Sequence, residues 1–260
     1  MRRRRFLELT GTATAAAACR PSLSDRGGPR GRGAAFTHGV ASGDPLTNRV
    51  ILWTRVDATG ELDVRWEIAR DPSFATIVSH GVVSTGPAQD HTVKVDAGGL
   101  SPGSTYAYRF EARGVQSPLG RTRTLPVGRV ERVALAVTSC SNLPWGHFNV
   151  YGAIAARDDI DAVVHLGDYI YEYANAQYGD GAALKRLPEP RDRECVTLAD
   201  YRQRHACYKR DGQLQAVHAR HPFIVVWDDH ELANDAWIDG AQNHQPEEGS
   251  WRSRRDAAVQ

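Results

Sequence analysis

The chain has 260 residues, of which 41% are hydrophobic, with 32 basic and 31 acidic side chains and a net charge of +1. That length holds one large domain or two ordinary ones with an apolar core. The balanced charge excludes recruitment to nucleic acid or anionic lipid by a global field, so any chemistry must be local.

The N-terminus, "MRRRRFLELTGTATAAAAC", places arginines before a short Ala-rich stretch, the pattern of an export signal. Arg3, Arg4, Phe6 and Leu7 fit the R-R-x-F-L spacing of a twin-arginine signal, a route for proteins that fold before crossing the membrane. The stretch is too short and polar for a spanning helix. Cys19 follows four alanines, where a lipoprotein signal carries its acylated cysteine, but Ala16 stands where such a signal has Leu. Lipid anchoring and simple cleavage both stay open. Residues 20–35, rich in Arg, Gly, Pro and Ser, read as a tether.

From Phe36 to about Leu125, short alternating runs such as "RVILWTRV", "LDVRWEIAR" and "STYAYRFEAR" are separated by turn residues. Period-two alternation in about ninety residues predicts one antiparallel sandwich domain, set at residues 36–127. "LSPGSTYAYRF" is similar to the fibronectin type III segment in which a tyrosine pins a corner between strands. Trp53 and Trp66 are expected in the core and His38 in a structural role.

After Arg129 the pattern changes. Strands are predicted in "VALAVTSC", "AVVHLGD" and "FIVVWDDHE", with helices over 149–158 and 197–220 and a long loop over 174–195. Continuous apolar runs alternating with helices predict a parallel sheet covered on both faces, a second domain over 128–260.

Each of these strands ends in a residue type that binds metal: Cys140, then Asp168, then Asp228, Asp229 and His230. In an open α/β sheet, ligands bind beyond the carboxyl ends of the strands, so these groups can converge. Taken alone, Asp168 could cap a following helix and Cys140 could be an inert buried thiol. Three strand ends together point to a metal. If Asp168 and Tyr171 share the first turn of a helix, their spacing puts them on one face, with Tyr169 pointing elsewhere. A phenol is a poor ligand at neutral pH unless a trivalent metal holds it as phenolate. Asn234 adds an amide carbonyl, and Glu231 is expected to orient or cap. Oxygen donors suit Ca²⁺ or Mg²⁺, while carboxylate, phenolate, thiolate and imidazole together suit iron, so a site with more than one metal is implied. Such sites catalyse displacement at phosphorus.

"TSC", "HLGDYIYEY" and "WDDHE", in this order behind the signal and the β domain, resemble the PhoD family of alkaline phosphatases. The resemblance implies an immunoglobulin/fibronectin-like sandwich followed by an α/β metallophosphoesterase-like sandwich, and hydrolysis of phosphate mono- and diesters outside the cytoplasm. It implies Fe³⁺ and Ca²⁺, with Cys140 and Tyr171 matching iron ligands, Asp168 the bridging carboxylate, and Asp229 and Asn234 calcium-side ligands. Asp168, Asp229 and His230 are the catalytic candidates, with Asp228 and His230 set behind the metals or beside the phosphate, and a metal-bound hydroxide is the expected nucleophile. The partners implied are phosphate esters and the twin-arginine machinery, with a monomer expected, no specific nucleic-acid binding, and membrane attachment only through Cys19. The family's further half has no counterpart here, and "SWRSRRDAAVQ" reads as the opening of a helix, so the second domain is expected to be truncated. A non-catalytic exported binding or remnant protein is the alternative.

Other residues have plainer readings. Cys195 and Cys207 are either a disulfide or two thiols. His205, His218 and His221 are expected to be packed or solvated, and Arg202, Arg204, Lys209 and Arg210 to form a solvated helix face. Asn142 and His147 lie close enough to Cys140 in sequence to approach a phosphate.

Overall fold

The structure, a computed structural model, describes residues 35–260. The export-signal residues and Cys19 lie outside the described residues. Among the described residues no helix is long and apolar enough to cross a membrane.

The alternating segment forms β1 (Val40–Gly43), β2 (Arg49–Arg55), β3 (Leu62–Ala69), β4 (Ile77–Thr85), β5 (Thr92–Gly98), β6 (Thr105–Ala112), the short β7 (Val115–Gln116) and β8 (Gly120–Arg123). Antiparallel pairing sets Leu52 opposite Val95 and Thr54 opposite Val93, which puts the buried sets of β2 and β5 on one face. In the other sheet Trp66 lies opposite Phe110 and Ile68 opposite Tyr108. The two faces close on a core that includes Leu52, Val64, Trp66, Ile68, Val95 and Phe110. Burial of each such side chain contributes about 1.5–3 kcal/mol. The Tyr106 hydroxyl accepts the Ser101 N–H at 2.8 Å, pinning the corner before β6. Trp66 is in the core as expected, but Trp53 is half-buried on the outer face, with the Lys209 ammonium 4.9 Å from its ring centroid.

The second segment forms β9 (Leu135–Thr138), α1 (Asn149–Ala155), β10 (Ala162–His165), α2 (Leu198–Lys209), α3 (Gly212–Arg220), β11 (Phe223–Val225) and α4 (Trp251–Val259). Residues 174–195 hold no helix or strand. The stretch 197–220 is two helices because the Asp211 carboxylate accepts the Gln213 and Leu214 N–H groups, both at 2.9 Å, and starts α3 afresh. β9, β10 and β11 are parallel neighbours, with Val164 opposite both Val137 and Ile224.

β11 also pairs in parallel with β1, Gly43 lying opposite Phe223. One six-stranded sheet, β5-β2-β1-β11-β10-β9, therefore runs through both segments. A Cβ on Gly43 would sit 2.9 Å from the Phe223 carbonyl oxygen, so glycine permits this approach. Among the described residues, only one face of the sheet is covered by helices. Tyr151 of α1, Tyr208 of α2 and Val217 of α3 share one cluster with Val163 and Phe223, while Leu135, Val137 and Ile224 on the other face are exposed. Both crossovers advance in the same direction across the sheet, and crossovers of one fixed hand then place every connecting helix on the same side.

Candidate metal centre

Parallel order brings three carboxyl ends to one edge, and the main chain ties them together past the last ladder bonds. The Leu166 N–H donates to Thr138 O at 2.8 Å and the Val226 N–H to His165 O at 3.0 Å. Further out, the Cys140 and Ser141 N–H groups donate to Gly167 O at 3.2 Å and Asp168 O at 2.8 Å. Cys140 (φ 57°) and Asp168 (φ 55°) both adopt the left-handed region, which is uncommon for side-chain-bearing residues. Gly167, at φ 100°, is required: a Cβ there would meet the Asp228 amide nitrogen at 2.4 Å. The two turns are thus packed backbone to backbone.

Left-handed Asp168 cannot open a helix, and residues 168–173 form none. The expected pairing arises without one: the Tyr171 hydroxyl donates to Asp168 Oδ2 at 3.0 Å. Tyr169 points elsewhere, its hydroxyl 2.8 Å from His218 Nε2. Ligand atoms of Asp168, Asp229 and His230 all lie within 4.8 Å of one another. Asp168 is buried, and its Oδ1 has no hydrogen-bond partner.

Burial pushes the Tyr171 phenol well above its ordinary range, and Asp168 and Cys140 add to the rise, which favours the protonated phenol. Cys140 is exposed at the mouth, not a buried inert thiol. Burial pulls the His230 imidazole down, but the Glu172 hydrogen bond and the charges of Glu172, Asp168 and Asp229 more than offset it, leaving a net rise. The donor set fits a metal. A buried carboxylate oxygen lacks a partner, an imidazole and a second carboxylate lie within reach, and a thiol and a phenol stand beside them.

The Asn234 side-chain amide donates to Asp235 at 3.2 Å and to Gln242 at 3.0 Å. Asp228 is exposed and accepts the Asp229 N–H at 3.1 Å. Asn142 and His147 line a cavity of about 370 Å³ beside Cys140. A cavity of about 810 Å³ between the outer sheet face and α2 contains none of the cluster residues.

Two supporting acids were poorly legible in the sequence. Glu231 orients, as its position suggested, and accepts the N–H groups of Asp168 (3.1 Å), Tyr169 (2.5 Å) and Asp228 (2.9 Å). Burial raises its carboxyl above the usual range against the pull of those amides. Glu172, fully buried, was missed; a lone acid inside "YIYEYA" was the available signal. Cys195 and Cys207 are free thiols, and their sulfurs face the carbonyls of Asp200 and Leu187. Arg204 and Lys209 do not form a solvated face: Arg204 is buried, and Lys209 lies 5.0 Å from the Tyr169 ring centroid.

Fold and site together define an α/β protein with a cluster of Asp168, Asp229 and His230 that could hold a metal at the carboxyl edge of parallel strands. The model of the PhoD-like phosphatase family matches residues 135–260, and that of the PhoD-like phosphatase N-terminal domain matches residues 20–126. Alkaline phosphatase D of Bacillus subtilis (strain 168) is 40% identical over 241 residues, covering 86% of this chain and 40% of that protein. A solved structure of PhoD superposes with a TM-score of 0.79 at 38% identity, covering 89% of this chain and 46% of that one. The chain belongs to the PhoD-like phosphatase family. It spans less than half the length of either relative.

Proposed function

We propose that the chain serves an exported, metal-dependent phosphoesterase of the alkaline phosphatase D type, acting on phosphate mono- and diesters. The observation that carries this reading is the buried, unpartnered Asp168 Oδ1 within a cluster that also holds Asp229 and His230. Cys140 and Tyr171 would hold iron, Asp168 would bridge, and Asp229 with Asn234 would hold calcium. Bound ions supply a nucleophile at neutral pH and neutralise phosphoryl charge. The protein's own part would be to orient: Asp168 and Asp229 would fix the site's geometry, and His230 would hold or give a proton at an ester oxygen. Export rests on Arg3 and Arg4, and the 36–127 segment is proposed as an immunoglobulin/fibronectin-like domain.

The test is elemental analysis of protein purified after export, with hydrolysis of p-nitrophenyl phosphate and its bis-ester followed with and without chelator. Iron and calcium should co-purify, and Asp168→Asn should lose both metal and turnover. Full metal content and full activity in that variant would overturn the assignment. A second reading, a metal-binding chain without turnover, is favoured by the open apolar face at Leu135, Val137 and Ile224. Metal retention without hydrolysis would select it.

A further inference from the structure

Glu172 has no solvent exposure, and a carboxylate fully removed from water is costly unless donors surround it. Three donors do so. Oε1 accepts the Asn234 main-chain N–H at 2.7 Å and the Asn243 side-chain amide at 2.6 Å, and Oε2 lies 2.8 Å from His230 Nδ1. One side chain therefore joins the turn after β10, the turn after β11 and the segment leading to α4. An ionised carboxylate only accepts, so the proton of a neutral His230 must sit on Nδ1. That leaves the Nε2 lone pair as the ring's free donor atom in the cluster with Asp168 and Asp229.

We propose that Glu172 is a positioning residue that fixes His230 in its Nδ1–H tautomer and anchors the Asn234 turn, so that the imidazole Nε2 lone pair is presented to a cation. Its bearing on catalysis rests on the phosphoesterase reading; its effect on the tautomer does not. The pattern is physically general, because a carboxylate on one ring nitrogen sets both the orientation and the basicity of the other.

Glu172→Gln separates the tautomer from the packing. The glutamine carbonyl keeps the bonds to Asn234 and Asn243, while its NH₂ group, a donor, now faces Nδ1. His230 must then carry its proton on Nε2, with shape and volume unchanged.

The experiment uses the full chain with ¹⁵N-labelled histidine, metal-free, at a pH where the imidazole is neutral, with His230 assigned from a His230→Gln variant. Wild type should show the Nδ1–H pattern at His230 and Glu172→Gln the Nε2–H pattern. Ca²⁺ and Tb³⁺ affinity, the latter read by luminescence sensitised by the nearby tyrosines, should fall roughly 10- to 100-fold in the variant. An unchanged tautomer overturns the proposal, as does a switched tautomer with unchanged affinity. Wild-type protein that binds neither ion would overturn the presentation of Nε2 to a cation and count against the functional reading. The tautomer comparison would still decide whether Glu172 orients His230.

Discussion

Arg204→Ala should be among the most destabilising single changes in the chain. Arg204 is 1% exposed and donates to three main-chain carbonyls: Nε to Glu189 O at 2.9 Å, Nη2 to Pro190 O at 2.9 Å, and Nη1 to Tyr171 O. Truncation leaves three acceptors inside the protein with no donor. Hydrogen bonds to charged groups are each worth about 1.5–3 kcal/mol, and water entering the vacated space recovers part of that, so the expected loss is about 4–6 kcal/mol. Against a total stability of about 5–15 kcal/mol this is a large share. At about 2–4 °C per kcal/mol for a domain of this size, Tm should fall by about 10–20 °C. Lysine offers one ammonium where three carbonyls diverge, so Arg204→Lys should fall between wild type and alanine. Urea melts followed by tryptophan fluorescence measure the loss. Because one of the carbonyls belongs to Tyr171, any metal held at the candidate site should be lost below the melting temperature as well. An alanine variant within about 1 kcal/mol of wild type, or a lysine variant equal to arginine, would refute the reasoning.

Two further outcomes are expected. Burial first, aided by Arg55 at His38 and by Lys209 at His165 and His205, holds these three imidazoles at about 4 against an ordinary 6.5. The unfolded chain takes up protons near 6.5 and the folded chain only near 4, so their stabilisation is complete above 6.5 and is lost as pH falls toward 4. Each contributes at most about 3 kcal/mol, and urea midpoints should drop steeply between pH 6.5 and 4.5. Midpoints flat across that window would contradict the burial. Glu231→Gln should behave no better than Glu231→Ala, because an amide has one acceptor for the amides of Asp168, Tyr169 and Asp228 and turns a donor toward the rest. Metal retention close to wild type in Glu231→Gln would show that the clamp is not needed.

The sequence made the strand ends legible and the supports illegible, for a physical reason. Apolar runs of strand length that stop at Cys140, Asp168 and Asp228 are written locally, and parallel pairing does the rest. The missing helix after Asp168 depended on one left-handed residue, which no periodicity announces. The join of Gly43 to Phe223 carries no compositional mark. α2 misled because its buried side is built of Asp200, Tyr201, Arg204 and Tyr208 rather than aliphatic residues. A charge is assigned to solvent by default unless its partners are visible, and those of Arg204 are backbone carbonyls from the irregular segment around 171–190.

These supports show how the chain holds donors that repel one another. Asp168, Asp229, Cys140 and Tyr171 are acidic groups gathered at one edge. No arginine or lysine forms a described salt bridge with Asp168 or Asp229, so their convergence is imposed from behind. Glu231 grips the amides under both turns, Gly167 lets those turns touch, and Glu172 holds the histidine from the far side. Each grip uses main-chain groups or the distal atom of a ring and leaves the donor atoms facing inward untouched. The Tyr171 hydroxyl donates to one Asp168 oxygen, while the other has no protein partner. A buried acceptor left in that state costs about 1–3 kcal/mol, and more when it is charged. A cation between Asp168, Asp229 and His230 would remove that cost and the mutual repulsion together.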